Sequence, residues 1–358
     1  MARGDNTLKR QTKLLKEDLR LLGVKITEKK AGQLQFLAQR KYDRYDIYSP
    51  GETFLSRLMY WLENFEEKDR QKAMKLVNSL KFISQYELKE LAAATFENAC
   101  MTLKKHVLKL PTDNWSIYAE SREVNINQQL SQSIFLACTD DIMFDYLRRY
   151  AMKKVNSFEK DNFVEYYKLH KKCQTDLPEY QRIFLVDQLS ASGITAIRKE
   201  EEGWAGKLPR FWELWKKDLK NCEIYYCPLL QSMVSKAHIE DLLPKWIKEQ
   251  HVKLPFKVLP TCYVSVSPCL SSDNGLTINE RLTTSKFCRN EKYFSKFVDD
   301  RHINRGGPAY YGFGRAGLTL VLQSNCPNNT VPLIWHSFNE WYPLFPRVSH
   351  HRGAQKVR

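Results

Sequence analysis

Between Arg182 and Thr195 the chain reads RIFLVDQLSASGIT, and the order of residue types there has chemical meaning. Four apolar residues, Ile183 to Val186, run into Asp187 and Gln188. After Leu189 comes a cluster of mostly small residues: Ser190, Ala191, Ser192, Gly193, Ile194 and Thr195. A loop of this kind lets backbone N–H groups converge on an anion, and a helix starting just after it would add its partial positive charge. Ser190, Ser192 and Thr195 supply hydroxyl donors, and Gly193 permits close approach or a positive φ. These groups suit a phosphate. A carboxylate at Asp187 would repel a phosphate in contact with it, but it can accept hydrogen bonds from the vicinal hydroxyls of an attached sugar. The pattern therefore points to a ribose 5-phosphate group held at both ends. The plainer alternative is an ordinary strand-to-helix turn built on Asp and Ser.

Such a loop needs a sheet to carry it. From about residue 115 onward, apolar runs of strand length alternate with helical patterns. The strand candidates are SIFLAC (133–138), RIFLVD (182–187), CEIYYCPLL (222–230), FKVLPTCYVSVS (256–267) and GLTLVLQS (317–324). Between them lie DIMFDYLRRYAMKKV (141–155), LPRFWELWKKDL (208–219) and SKAHIEDLLPKWIKEQ (235–250). Strands that are apolar on both faces and alternate with helices predict an α/β fold with a mainly parallel sheet. In open sheets of this class ligands sit beyond the carboxyl ends of the strands, which is where Asp187 to Thr195 falls.

The first part of the chain reads as helical. Leu8, Leu15, Leu19 and Leu22 are helically spaced, and Thr27 can cap the run that follows it. In SPGETFLSRLMYWLENF, Ser49 can cap a helix, Pro50 suits its first turn and Glu52 can bond back to the cap. Ser84 and Glu87 repeat that device. Leu55, Leu58, Met59, Leu62 and Phe65, with Ala73, Leu76, Val77 and Leu80, are expected to pack helix on helix. The expected organisation is a helical N-terminal domain over residues 1–115, an α/β domain over 116–346 and a basic tail over 347–358.

Composition narrows the function classes. With 43% hydrophobic and 27% charged residues, this is a chain that buries a core. There is no run of 18 or more apolar residues, so no membrane association is expected, and the N-terminus lacks a secretion-signal core, which points to the cytoplasm. Nine cysteines without a C-x-x-C pair are expected to be reduced, forming neither a disulfide frame nor a zinc site. Formal net charge is +15; residues 1–44 carry twelve Lys/Arg against five Asp/Glu, and residues 347–358 carry four Lys/Arg and two His with no acid. Basic ends of this kind favour polyanions, nucleic acid above all. A solvated basic face is the alternative.

FLVDQLSASGIT resembles the phosphoribosyl pyrophosphate signature of type I phosphoribosyltransferases: four apolar residues, two acids, then a loop ending in Thr or Ser, Gly, any residue, Thr. Matched residue by residue, Asp187 takes the first acidic position, Gln188 the second, and Ala191 to Thr195 the 5-phosphate loop. Gln188 departs from the pattern, because an amide can bond a ribose hydroxyl but carries no charge to stabilise a cationic sugar. SASGITAIRKEEEGWAGKLPRFW and GPAYYGFGRAGLTLVLQSNCPNNTVPLIW further resemble the phosphoribosyltransferase-like effector family of bacterial conflict systems, which includes operons with retron reverse transcriptases.

The resemblance implies a sheet of the type I phosphoribosyltransferase kind, preceded by a helical region, and a site where Asp187 and Gln188 are the catalytic candidates. Ser190 to Thr195 would bind the phosphate. Cys138, Thr139 and Asp140 are the candidate pyrophosphate loop, although the acids at 140 and 141 oppose an anion and equally suit a helix cap. Asn328, Asn329 and Trp335 are candidate base contacts, with a turn and an anchoring Trp as the alternative. Mg²⁺ would shield a pyrophosphate without a dedicated protein cage. The reaction would be displacement at the anomeric carbon, by a phosphoribosyltransferase or an N-glycosidic-bond transferase or hydrolase. The ligand would be a phosphoribosyl compound or nucleotide. Expected partners are a reverse transcriptase with its nucleic acid, or another conflict-system protein, in antiphage defence. A catalytically inactive nucleotide sensor or nucleic-acid scaffold is the second reading, and a nucleotide-salvage enzyme the third.

Overall fold

The computed structural model describes residues 2–108, 126–138, 142–155, 160–165, 181–215, 222–252, 255–265, 286–294, 309–337 and 340–348. The chain divides into two compact units, Met1–Gln85 with Val266–Arg358, and Tyr86–Ser265. The first unit is thus discontinuous in sequence, a cut different from the compositional one near residue 115.

In the first unit, α1 (Ala2–Leu21), α2 (Glu28–Arg40), α3 (Phe54–Glu63) and α4 (Glu67–Asn78) form the N-terminal helical region. Thr27 caps α2 by accepting the Lys30 N–H, as its position predicts. The start of α3 corrects the sequence reading. Glu52 does return to the Ser49 N–H at 2.9 Å, but Gly51 sits at φ +85°, which ends that turn before a helix can grow from it. The helix begins instead at Thr53, in a reciprocal capping box with Ser56. The apolar face of α3 buries Phe54, Leu58, Trp61 and Leu62 against Ala73, Leu76 and Val77 of α4 and against Val331, Leu333, Ile334 and Phe345. Each such side chain contributes about 1.5–3 kcal/mol when fully buried. Trp61 also donates its indole N–H to the Leu333 carbonyl at 2.6 Å. Arg57 is buried without an orphan charge: Glu52 pairs with it at 2.7 Å, and the Pro343 carbonyl accepts from it at 3.1 Å.

The short strand β1 (Lys81–Ile83) also belongs to this unit, and its partner corrects a second expectation. GLTLVLQS was read as one of the strands of the main sheet. The strand it does form, β10 (Leu320–Leu322), pairs with β1 in a separate two-stranded parallel sheet.

The second unit carries α5 (Gln85–Leu108), which starts directly after Ser84, then α6 (Asn127–Ser131), β2 (Ser133–Ala137), α7 (Ile142–Lys154) and β3 (Phe163–Glu165). It continues with β4 (Arg182–Ser190), the hairpin β5 (Arg198–Glu200) and β6 (Gly203–Ala205), α8 (Lys207–Trp215), β7 (Glu223–Ser232), α9 (Met233–Glu249), β8 (Phe256–Val258) and β9 (Cys262–Val264). Six strands make the sheet in the order β3-β2-β4-β7-β8, with β9 also pairing β7, and every pairing is parallel. Both faces are covered, which is why the strands read as continuous apolar runs. Phe135, Phe184 and Tyr225 stack across one face at 4.8 and 5.0 Å, with Phe96 of α5 against Phe135. Ile134, Leu136, Ile183, Leu185, Ile224 and Tyr226 pack on the other with Leu208 and Phe211 of α8 and Ile239, Leu243 and Trp246 of α9.

The remaining elements are α10 (Glu291–Phe294), four 3-10 turns (Tyr42–Arg44, Lys160–Asn162, Ala309–Tyr311 and Phe313–Arg315) and α11 (Pro332–Trp335). No helix among the described residues is long and apolar enough to cross a membrane. The seven described cysteines are free.

Candidate functional site

β4 lies inside the sheet, between β2 and β7, and its register with β7 runs from Arg182↔Glu223 to Ser190↔Gln231. The segment after it, Ala191 to Thr195, leaves the sheet at its carboxyl end and packs against the first turns of α9. Ser232 caps α9, accepting the Ser235 N–H at 3.0 Å, and its hydroxyl donates to the Ala191 carbonyl. Ser190 and Ser235 share a hydroxyl–hydroxyl bond of 2.7 Å. Gly193 lies at φ +80°, and a Cβ built there would stand 2.8 Å from Cδ2 of His238 and 3.1 Å from the Ser235 carbonyl oxygen. Both its conformation and its neighbours therefore call for glycine. His238 faces this glycine and places Nε2 2.8 Å from the Ile197 carbonyl; since a carbonyl only accepts, Nε2 carries the proton.

The hydrogen bonds of this loop divide sharply by type. Four of its five carbonyls are engaged: Ala191 accepts from Ser232, Gly193 from the N–H groups of Ala196 and Ile197, Ile194 from Arg198 and Thr195 from the N–H of Lys207. Its donors are not. Among the described residues, the N–H groups of Ala191, Ser192, Gly193, Ile194 and Thr195 have no partner, nor do the hydroxyls of Ser192 and Thr195 or the side chain of Gln188. Ala191, Ser192 and Gly193 are buried. Buried main-chain N–H groups are almost always paired in folded proteins, so the three of Ala191, Ser192 and Gly193, continued by those of half-buried Ile194 and exposed Thr195, make a donor surface whose natural complement is an anion.

One part of the expectation is corrected. No helix follows the loop directly. The β5–β6 hairpin intervenes, and the first N–H groups of α8, those of Lys207 and Leu208, are already bonded to the Thr195 and Ala196 carbonyls at 2.9 and 3.0 Å. The unpaired donors here are the loop's own N–H groups rather than those of the next helix.

Asp187 also differs from the expectation that it reaches out to a sugar. Its residue is 2% exposed, and Oδ2 accepts from Lys207 Nζ at 2.6 Å and from the Tyr226 hydroxyl at 2.8 Å. The carboxylate lies on the α8–α9 face because β4 alternates: Ile183, Leu185 and Asp187 point one way and Phe184 the other. Burial works against the charge on Lys207, but the Asp187 carboxylate outweighs it and holds the ammonium above its ordinary value. Burial, then Asp187, pushes the Tyr226 phenol well above its usual range and the Cys138 thiol up to about 12. Oδ1 has no partner among the described residues, and Gln188, the next residue of β4, points to the opposite face.

Cys138 ends β2 beside this group, its N–H on the Val186 carbonyl at 2.8 Å. Thr139 and Asp140 lie outside the described residues. Asn328, Asn329 and Trp335 belong to the other compact unit. There Asn329 donates to the Phe313 carbonyl at 2.7 Å, the Asn328 carbonyl accepts from Phe313 N–H at 2.8 Å, and the Trp335 indole donates to the Thr330 carbonyl at 2.7 Å. These bonds tie the glycine-rich segment to the turn before α11. Arg148 and Arg149 pair with Asp145 on α7, as surface charges do.

The family model PRTase-CE matches residues 58–347. The chain belongs to the PRTase-CE family. The mainly parallel α/β sheet with its helical N-terminal region is the phosphoribosyltransferase-like fold, and in this PRTase-CE chain the loop of free donors follows the strand that carries the signature. No curated protein and no solved structure matches.

Two residues of the site escaped the sequence reading, Lys207 and Tyr226. Lys207 sits in AGKLPRFW, just before a helix start, where a lysine looks like a surface charge. Tyr226 sits in a buried strand, and the requirement that a buried phenol find a partner was the signal available for it. Among the described residues no three His, Cys, Asp or Glu side chains converge, so the donor set fits Mg²⁺ only as a companion of ligand phosphates.

Proposed function

We propose that this protein is a phosphoribosyltransferase-like effector that binds a phosphoribosyl compound or nucleotide, with the 5-phosphate held by the N–H groups of Ala191 to Thr195. The single observation that carries the reading is the division of the loop: four of its five carbonyls bonded to the protein, five consecutive N–H donors without a partner among the described residues. The hydroxyls of Ser192 and Thr195 would add to that grip. The Gln188 amide would take a ribose hydroxyl, with Asp187 engaged by Lys207 and Tyr226, and Mg²⁺ carried on a pyrophosphate would neutralise the leaving group. The chemistry is displacement at the anomeric carbon, in which the protein contributes position and electrostatics.

A second reading, binding without turnover, is favoured by a specific pair of observations. Asp187 is engaged by Lys207 and Tyr226, and the neighbouring position is Gln188 rather than a second acid. Such a protein would act as a nucleotide sensor. Titrating the full chain with phosphoribosyl pyrophosphate and Mg²⁺ while following pyrophosphate and ribose phosphate release separates the two: saturable binding with release supports the enzyme, and binding without release supports the sensor. Failure to bind any phosphorylated pentose defeats both. The antiphage role, with a reverse transcriptase and its nucleic acid or another conflict-system protein as partner, is part of the same proposal. It is tested by plaque counts in cells carrying the wild-type gene or the Gly193→Val variant.

A further inference from the structure

Lys207 is the residue in the second unit whose bonds are hardest to explain as surface chemistry. Its side chain reaches the first residue of the Asp187–Thr195 segment, with Nζ on Asp187 Oδ2 at 2.6 Å, and its main-chain N–H reaches the last, donating to the Thr195 carbonyl at 2.9 Å. One residue on α8 therefore fixes both ends of the loop. The side chain of Asp187 is 2% exposed and that of Lys207 24%, so the pair is poorly screened by solvent. A carboxylate buried beside a ring of N–H donors would oppose any anion they received.

We infer that Lys207 is the positioning residue of this loop: it straps Asp187 to Thr195 and cancels a buried negative charge that would oppose an anion on the donors between them. The inference rests on the reading of Ala191 to Thr195 as an anion site and adds a residue to it. The pair explains how a signature with an acid at its head can end in a phosphate loop. The acid is neutralised from α8, while its orientation is held by Tyr226. The groups that face Asp187 are Lys207 from α8, Tyr226 from β7 and Cys138 from the end of β2. His238 of α9 faces the loop itself.

The test uses sulfate, which stays a dianion from weakly acid to weakly alkaline solution, titrated calorimetrically into the full-length wild type and Lys207→Met. At about pH 8 the variant leaves the buried carboxylate with the Tyr226 hydroxyl as its donor and no cation to cancel its charge, and it binds sulfate at least about tenfold more weakly. Lys207→Met/Asp187→Asn removes that charge and binds sulfate within about threefold of wild type, whereas a purely structural strap predicts that the double variant stays as weak as Lys207→Met. Should Lys207→Met fail to fold, the double variant and Lys207→Arg, which keeps the pair and stays near wild type, carry the same comparison. Equal sulfate binding by wild type and Lys207→Met at about pH 8, or a double variant that remains crippled, overturns the inference while leaving the loop's anion site standing. Absence of sulfate and phosphate binding by the wild type overturns the site itself.

Discussion

Gly193→Ala probes the candidate site with the least chemistry, since it adds one methyl group. The wild-type backbone is at φ +80°, where an L side chain costs roughly 1–2 kcal/mol. The new Cβ would stand 3.1 Å from the Ser235 carbonyl oxygen, which the α9 helix holds in place, and 2.8 Å from Cδ2 of His238. The ring can swing, but only by giving up its 2.8 Å bond to the Ile197 carbonyl, worth about 1 kcal/mol. The loop thus either keeps its shape at a total cost of roughly 2–3 kcal/mol or flips Gly193 out of the positive φ region, and a flip turns at least one of the five N–H groups away. Calorimetric titration with ribose 5-phosphate is expected to show at least about a tenfold loss of affinity, the equivalent of roughly 1.4 kcal/mol. Thermal unfolding would shift down by at most about 4–12 °C, at about 2–4 °C per kcal/mol. Gly193→Val makes both effects larger because a β-branched residue resists positive φ more strongly. An alanine variant that binds ribose 5-phosphate as tightly as wild type would refute the argument that this conformation gathers the donors.

The other predictions concern the framework around the site. Tyr226→Phe removes one of two donors to a buried carboxylate and should cost about 1–3 kcal/mol in urea unfolding, with Asp187 still paired to Lys207. Thr53→Ala should destabilise the first unit by about 1 kcal/mol through its lost capping box, and Ser49→Ala should be close to silent; the reverse order would mean that α3 starts at Ser49. At Asp69 burial opposes the charge, but the bonds from Lys72 at 2.6 Å and the Tyr293 hydroxyl at 2.9 Å prevail and hold its carboxyl below the ordinary range. A lowered folded value means stability present above the unfolded value of about 3.9 and lost as pH falls through the folded one. Asp69→Asn should therefore flatten the acid limb of a stability–pH curve below about pH 4, seen by urea unfolding at stepped pH. Lys207 has the opposite sign. Its raised folded value gives a contribution complete below about 10.4 and lost at more alkaline pH, so Lys207→Met/Asp187→Asn should be less sensitive to strong alkali than wild type.

How much of this could be read from residues alone depends on the range of the interaction concerned. Local signals were legible. Thr27 caps α2 because the cap and its N–H partner are three residues apart, and the strand runs at 133, 182 and 222 form a parallel sheet because burial on both faces leaves continuous apolar stretches. Ser49 misled because Gly51 allows a positive φ, and whether a glycine uses that freedom depends on its surroundings. GLTLVLQS misled because an apolar run declares itself a strand without naming its partner, and here the partner is Lys81–Ile83, more than 200 residues earlier.

The same boundary runs through the site. By itself the sequence determined that a strand would end at a short loop able to present its backbone, since apolar run, acid, small residues and glycine are neighbours whose preferences act within a few bonds. Only the tertiary structure decided that most of the loop's carbonyls are used up while its N–H groups find no partner among the described residues, and that Asp187 turns toward α8 instead of outward. Those outcomes were set by Ser232, Lys207 and Tyr226, which stand 20 to 41 residues from the groups they bond. The partner a polar group finds at such separations is fixed by how strands and helices stack, and spacing along the chain carries no record of it.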